Sequence, residues 1–205
     1  MKSYPSIPRS TGQSFHEFDA FVFDKIDGSN LRWEWSKKSG WYKFGTRTRL
    51  FDLTDPVFGP AIDVFHSTLS QGLEKVARDE RWDRMICFTE FWGSKSFAGT
   101  HDPNDPKNLT LFDVAPYKRG ILGPREFCKL FSHLPIAKLL GTFRWTRGFV
   151  EQVRRGEIDG VTDEGVVGKA GEGHDLIMAK AKTQVWIDKV LARYGEAEGN
   201  KIVSS

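Results

Sequence analysis

The sequence reads as a mixed fold of strands and helices, and two observations carry that reading. Runs with the two-residue period of a half-buried strand recur through much of its length. Residues 56–80 and the stretch after Thr183 instead carry apolar residues at helical spacing. These periods agree with strands and helices in one fold but do not specify how the strands pair. At 205 residues the chain is long enough for one substantial globular unit with its own core, and too short for two large ones.

Residues 1–14 are rich in Ser, Pro and Gly and read as an irregular lead-in, with Tyr4 and Ile7 as anchors that could pack onto the domain. Residues 17–23 form a strand that runs into Lys25. Leu31, Trp33 and Trp35 alternate with Arg32 and Glu34 in a second strand. Residues 36–40 turn, and residues 41–48 return as its partner. The helix expected over 56–80 has Asp55-Pro56 as cap and first turn, and Phe58, Ile62, Phe65, Leu69, Leu73 and Val76 as its apolar stripe.

Residues 84–92 read as a strand that presents Glu90, and residues 93–108 as a long polar loop. Residues 109–114 form another strand. Within 115–160, the least informative stretch, residues 124–132 and 146–155 read as short outer helices. Glu164 opens a short strand, and residues 175–182 form the next beyond a glycine-rich turn at 171–173. Leu176-Ile177-Met178 mark this last one as a central strand. Thr183 caps a final helix with Val185, Trp186, Val190 and Leu191 on one side. The tail from Gly195 is polar and expected to fray.

Composition excludes several classes. Net charge is only +3, but local clusters such as Arg47-Thr48-Arg49, Arg144-Trp145-Thr146-Arg147 and Arg154-Arg155 permit a positive face for a polyanion. Cys87 and Cys128 lie far apart, so neither a zinc site nor a disulfide framework is suggested, and a reducing, cytoplasmic setting is the default. No apolar run approaches the ~20 residues of a membrane span. The N-terminus lacks a signal-peptide core, and the five histidines show no metal-ligand spacing.

The chemistry concentrates in Phe21-Val22-Phe23-Asp24-Lys25-Ile26-Asp27-Gly28-Ser29-Asn30. A lysine at the end of a hydrophobic strand is partly desolvated, which disfavours its charged form and favours a nucleophilic amine. Asp27 can position what that amine attacks, and Gly28 permits close backbone approach to a ligand. Glu90 sits among Ile86, Phe88 and Phe91, where a carboxylate is costly without a partner. Lys180 and Lys182 are two apart on a strand and share a face, which is unfavourable unless an anion lies beside them. Surface charge and ordinary core packing remain the alternatives for each residue taken alone.

In order and rough spacing, the Lys25-Ile26-Asp27-Gly28-Ser29-Asn30 segment and four later ones resemble the motifs of the covalent nucleotidyltransferase superfamily of RNA ligases, DNA ligases and mRNA capping enzymes. The later segments are Phe88-Thr89-Glu90-Phe91-Trp92-Gly93, Leu109-Thr110-Leu111-Phe112-Asp113-Val114, Glu164-Gly165-Val166-Val167-Gly168-Lys169 and Met178-Ala179-Lys180-Ala181-Lys182. The likeness spans about residues 20–190, and the form of the first segment is most similar to ATP-dependent RNA ligases.

The resemblance implies an α+β adenylyltransferase domain over residues 15–194, of ATP-grasp-like ligase type, with antiparallel sheets flanked by helices. It implies catalytic roles for Lys25, Lys180 and Lys182, with AMP from ATP attached to Lys25. Asp24, Ile26, Asp27, Asn30, Arg47, Glu90, Phe112, Glu164 and Lys169 would bind the nucleotide alongside Lys180 and Lys182. Glu90 would contact the sugar, Phe112 would stack on the purine, and Arg47, with Arg49 as rival, would hold a phosphate or strand end. Glu164 and Asp27 would face Mg2+ or Mn2+. The implied substrates are RNA 5′-phosphate and 3′-hydroxyl ends, as in RNA repair. A DNA or hybrid nick ligase and a non-catalytic nucleotide- or nucleic-acid-binding module are the alternatives.

One departure stands out. Only residues 183–205 follow Lys182, which leaves no room for the OB-fold domain of DNA ligases and capping enzymes. A partner protein could hold the substrate in place of a further C-terminal domain.

Overall fold

Strand β1 (Phe18–Lys25) delivers Lys25 to the end of a sheet, and the chain then crosses into a second sheet. The structure, a computed structural model, describes residues 3–8 and 15–204. Lead-in residues 1, 2 and 9–14 and tail residue 205 lie outside the described residues. The chain divides into two compact units, one built mainly on Asp27–Ile136 with Ser3 and Tyr4, the other on Pro5–Ile26, Ala137–Gly171 and Asp175–Ser205. Each has its own antiparallel sheet.

The first unit holds a five-stranded sheet. In spatial order it runs β4 (Leu50–Phe51), β3 (Gly40–Thr46), β2 (Ser29–Ser36), β5 (Arg84–Gly93) and β6 (Lys107–Pro116). The alternation in β2 does what its period predicts. Leu31, Trp33 and Trp35 bury on one face, and Trp33 stacks on Phe65 with ring centroids 4.0 Å apart. Asn30, Arg32 and Glu34 lie on the other face, paired in register with Glu90, Phe88 and Ile86 of β5.

The expected helix over 56–80 is two helices, α1 (Pro60–Thr68) and α2 (Ser70–Asp79), broken at Leu69. The hydroxyls of Ser67, Thr68 and Ser70 donate back to carbonyls of Asp63, Val64 and His66, a local competition that loosens the turn. Pro60, not Pro56, fills the first turn. Asp55 instead accepts the N–H groups of Val57 and Phe58. The long loop is ordered by Asp105, which accepts from Ser94 Oγ at 2.7 Å, Lys95 N–H at 2.9 Å and Lys107 Nζ at 3.1 Å. Helix α3 (Pro124–Phe131) forms where expected.

The second unit holds a four-stranded sheet in the order β7 (Leu139–Trp145), β1, β8 (Gly165–Ala170) and β9 (Ile177–Lys182). Ala20, Val22, Val166, Ala179 and Ala181 bury one of its faces with Trp145, Phe149 and Val153, the last two from α4 (Arg147–Arg154). Thr146 caps α4, accepting the Phe149 N–H. Strand β7 is not anticipated by sequence, because its alternation is confined to Thr142-Phe143-Arg144-Trp145 and only Trp145 of its residues is fully buried. Strand β9 is an edge rather than a central strand. Its Lys180 N–H donates to the Pro8 carbonyl, which covers part of that edge.

Thr183 caps α5 (Gln184–Ser204) by accepting the Trp186 N–H at 3.2 Å. Val185 faces solvent, while Trp186 and Val190 bury. The tail is not frayed. Gly195, at φ 73°, breaks the helix, and the helical stretch beyond it buries Val203. Among the described residues, no helix is long and apolar enough to cross a membrane.

Candidate active site

In the four-stranded unit the strand register lines up four lysines on one face. Lys25, Gly165 and Lys182 form one row across β1, β8 and β9. Phe23, Val167 and Lys180 form the next, and Phe21, Lys169 and Met178 the third. Gly165 stands between the two outer lysines at φ 142°, where a Cβ would come within 2.1 Å of the Ala181 carbonyl oxygen. Only glycine fits that position, and its bareness leaves the space between Lys25 and Lys182 open.

Glu164 supplies the charge in that row. Its Oε2 accepts from Lys25 Nζ at 2.7 Å, and its Oε1 lies 3.0 Å from Lys182 Nζ. Burial pushes this carboxyl up, but the two ammonium groups outweigh burial and hold it below the usual glutamate range. The anion that the paired strand lysines require is thus, in part, the protein's own. Lys182 also lies 4.2 Å from the Trp186 ring centroid, and Lys169 lies 5.1 Å from that of Phe23. Lys169 and Lys180 are both buried.

Asp24 is not brought to this face. It alternates away from Lys25, and its carboxylate accepts the N–H and hydroxyl of Thr162 at 2.8 and 3.1 Å. Burial raises its pKa. Asp24 therefore anchors the loop that leads to Glu164, which corrects its assignment to nucleotide contact. Ile26 is the last residue of this unit before the chain crosses over.

The five-stranded unit holds the remaining candidates. Both Asp27 oxygens accept the Ala98 N–H, at 2.9 and 3.0 Å, so this carboxylate organises the long loop. Ser29 and Ser96 flank His101, at 2.8 and 3.0 Å from its two ring nitrogens, and burial lowers the pKa of that imidazole. A Cβ at Gly28 would meet the Phe91 carbonyl oxygen at 2.3 Å, so the turn admits only glycine. Asn30 and Glu90 pair directly across β2 and β5, with Thr110 next in the row.

Phe112 is the extra residue of a bulge. Phe88 pairs with Asp113 and Thr89 with Leu111, which leaves Phe112 between them. Tyr4 packs edge-on against Phe112 and Phe88, with centroids 5.0 Å from each, and its hydroxyl donates to Asp113 at 2.5 Å. Burial, and then the Asp113 carboxylate, push the Tyr4 pKa well up. Sequence reasoning named Tyr4 only as an anchor and missed Asp113. The bulge that places Asp113 on this face leaves no mark in the residue pattern.

Arg47 is exposed just beyond β3, and its carbonyl accepts from Ser3 Oγ, which in turn accepts from Arg32 Nη1. Arg49, its rival, is held by a short hydrogen bond to Asp55, which pulls that carboxyl down to about 2. Among the described residues no three His, Cys, Asp or Glu side chains converge as a metal cage.

This architecture is the fold of ATP-dependent RNA ligases. An archaeal ATP-dependent RNA ligase, form 1, matches 99% of this chain at a TM-score of 0.70 and 19% identity. A Naegleria gruberi RNA ligase variant with ATP and Mn matches 83% at 0.61 and 14%, and the same ligase with PPi matches 83% at 0.59 and 15%. The chain spans about half the length of these structures, 56% of the archaeal chain and 51% of the Naegleria chains. No family model and no curated protein matches the sequence.

Proposed function

We propose that residues 15–194 act as the adenylyltransferase domain of an ATP-dependent RNA ligase, of the ATP-grasp-like ligase type. The observation that carries this reading is the Lys25–Glu164–Lys182 row, a strand-end lysine held by a buried carboxylate next to a second lysine. The solved RNA ligases of the same fold, among them structures with ATP, AMP and Mn, support it.

Lys25 Nζ attacks the α-phosphorus of ATP. Lys25 is paired as an ammonium, so it first gives up a proton; the freed amine then forms the N–P bond as the bond to pyrophosphate breaks, and the second nitrogen proton is lost to solvent. Lys180 and Lys182 balance the charge that builds on the phosphoryl oxygens, and Lys169 binds the nucleotide or its phosphates. Asn30 and Glu90 hold the sugar, and Phe112 stacks on the purine. A 5′-phosphate oxygen then takes AMP from Lys25, and a 3′-hydroxyl displaces AMP to seal the strand, with Arg47 holding a strand phosphate. Glu164 is the carboxylate that would hold a divalent metal beside the lysine row, and the metal would supply further charge neutralisation when bound.

Incubation with α-labelled ATP and magnesium, followed by a denaturing gel and mass analysis, tests the reading. The expected result is a labelled adduct that Lys25→Ala abolishes. If ATP and GTP both leave the protein unlabelled, even after pyrophosphate has stripped any bound AMP, the reading fails and a nucleotide-binding module without turnover replaces it.

A further inference from the structure

At the end of the five-stranded sheet away from Glu90, Tyr117 stands exposed between two cations. Its ring centroid lies 5.3 Å from the Arg84 guanidinium and 5.5 Å from Lys118 Nζ. Its backbone N–H is bonded to the Arg84 carbonyl at 2.9 Å, which fixes its base, while 59% of the residue remains open to solvent. A second exposed tyrosine, Tyr42, carries Lys43 5.8 Å from its ring. Burial and Glu34 push the Tyr42 hydroxyl up and Arg84 offsets them in part, so Arg84 acts on both rings.

The charges here are uncompensated. Glu34 is engaged by Lys43 at 3.9 Å and Glu126 by Arg119 at 2.9 Å, and Asp83 is the remaining nearby carboxylate. Among the described residues, Lys37, Lys38, Arg84 and Lys118 make no ion pair. Exposed aromatic rings flanked by unpaired cations match what a flexible polyanion with planar bases requires: a ring for a base to stack on and positive charge for the phosphate beside it. An acidic protein would use the cations but would leave two exposed tyrosine rings without purpose.

We propose that Tyr117 and Tyr42, with Arg84, Lys118 and the Lys37-Lys38 turn, form a stacking platform for single-stranded RNA. The choice of RNA rests on the ligase reading above. By the two-residue period Arg84 shares the sheet face of Phe88 and Glu90, roughly 20 Å along β5 from Glu90. A strand held at Glu90's end therefore has a second hold on the same face of the same sheet.

The test is fluorescence anisotropy of the full chain with a labelled single-stranded RNA, at low and at physiological salt, beside Lys25 adenylylation of the same preparations. Tyr117→Ala is expected to weaken RNA binding roughly five- to a hundred-fold. Tyr117→Phe should bind as the parent does. Arg84→Ala should weaken binding and make its logarithmic salt dependence shallower by about one. Adenylylation should be unchanged in all three. If Tyr117→Ala binds RNA as the parent does, the platform is wrong, whatever adenylylation shows. Tyr117-dependent binding in a chain that never adenylylates would keep the platform and remove the ligase.

Discussion

Lys25 and Glu164 are joined by a 2.7 Å hydrogen bond, and the other oxygen of the same carboxylate faces Lys182 at 3.0 Å. Glu164→Gln keeps the shape and removes the charge, leaving two lysines facing each other with no carboxylate between them. Breaking such a buried pair costs about 3–5 kcal/mol. Adenylylation should fall at least ~100-fold if charge stabilisation is the main contribution.

The same carboxylate fixes a pH dependence. The native Glu164 pKa is depressed, so its contribution to stability is complete above the ordinary glutamate value and is lost as pH falls through the native one. Urea unfolding should show the parent well ahead of Glu164→Gln at neutral pH. The gap should close progressively below about pH 4. A gap that stays constant into strong acid would show that Glu164 is not held as an ion.

Gly165→Ala should disrupt the lysine row without touching a charge. The new Cβ meets backbone at 2.1 Å, where no flexible side chain can yield, and the φ of 142° is unfavourable for alanine. We expect about 2–3 kcal/mol of lost stability in thermal melts. Adenylylation should be lost beyond what the unfolded fraction explains, because β8 and β9 must separate to admit the methyl group. Activity in proportion to folded protein would contradict this account.

Tyr4→Phe isolates one hydroxyl. The rings of Phe88 and Phe112 keep their neighbour, while buried Asp113 loses a charge-assisted donor, at a cost of about 1.5–3 kcal/mol. Because the native Tyr4 pKa is raised, its contribution is present below about pH 10 and is lost as pH climbs beyond it. Alkaline melts of the two proteins should therefore converge.

Arg47→Ala and Arg49→Ala separate the two rivals for the strand phosphate. Arg49 is committed to Asp55, so its loss should leave strand sealing intact. Arg47→Ala should reduce sealing of adenylylated RNA about ten-fold or more while leaving Lys25 adenylylation near normal. The reverse pattern in single-turnover sealing would give the role to Arg49.

The placement of several candidate residues was legible because they follow strand periods. Lys180 and Lys182 share a face by a spacing of two, and Asn30 lies on the polar side of the alternating strand β2, opposite Glu90 of β5. What stayed hidden depends on pairing. The partner of Lys25 is Glu164, 139 residues away in sequence, and only the β1–β8 register makes them neighbours. Asp113 reached its face through a bulge, and the strand before α4 was missed because only its last four residues alternate and Leu139-Leu140-Gly141 break the period. Asp24 was misassigned because nearness in sequence to Lys25 puts it on the opposite side of the strand.

The contact between Lys182 and Trp186 gives the molecule an optical handle. The indole is buried and its ring centre lies 4.2 Å from a cationic nitrogen, so its emission is tuned by that charge. A phosphate that draws the ammonium away, or partly neutralises it, alters the field on the ring. If ATP binds beside Lys182 as proposed, tryptophan emission should change on its addition, and Trp186→Phe would identify this ring's share of the signal.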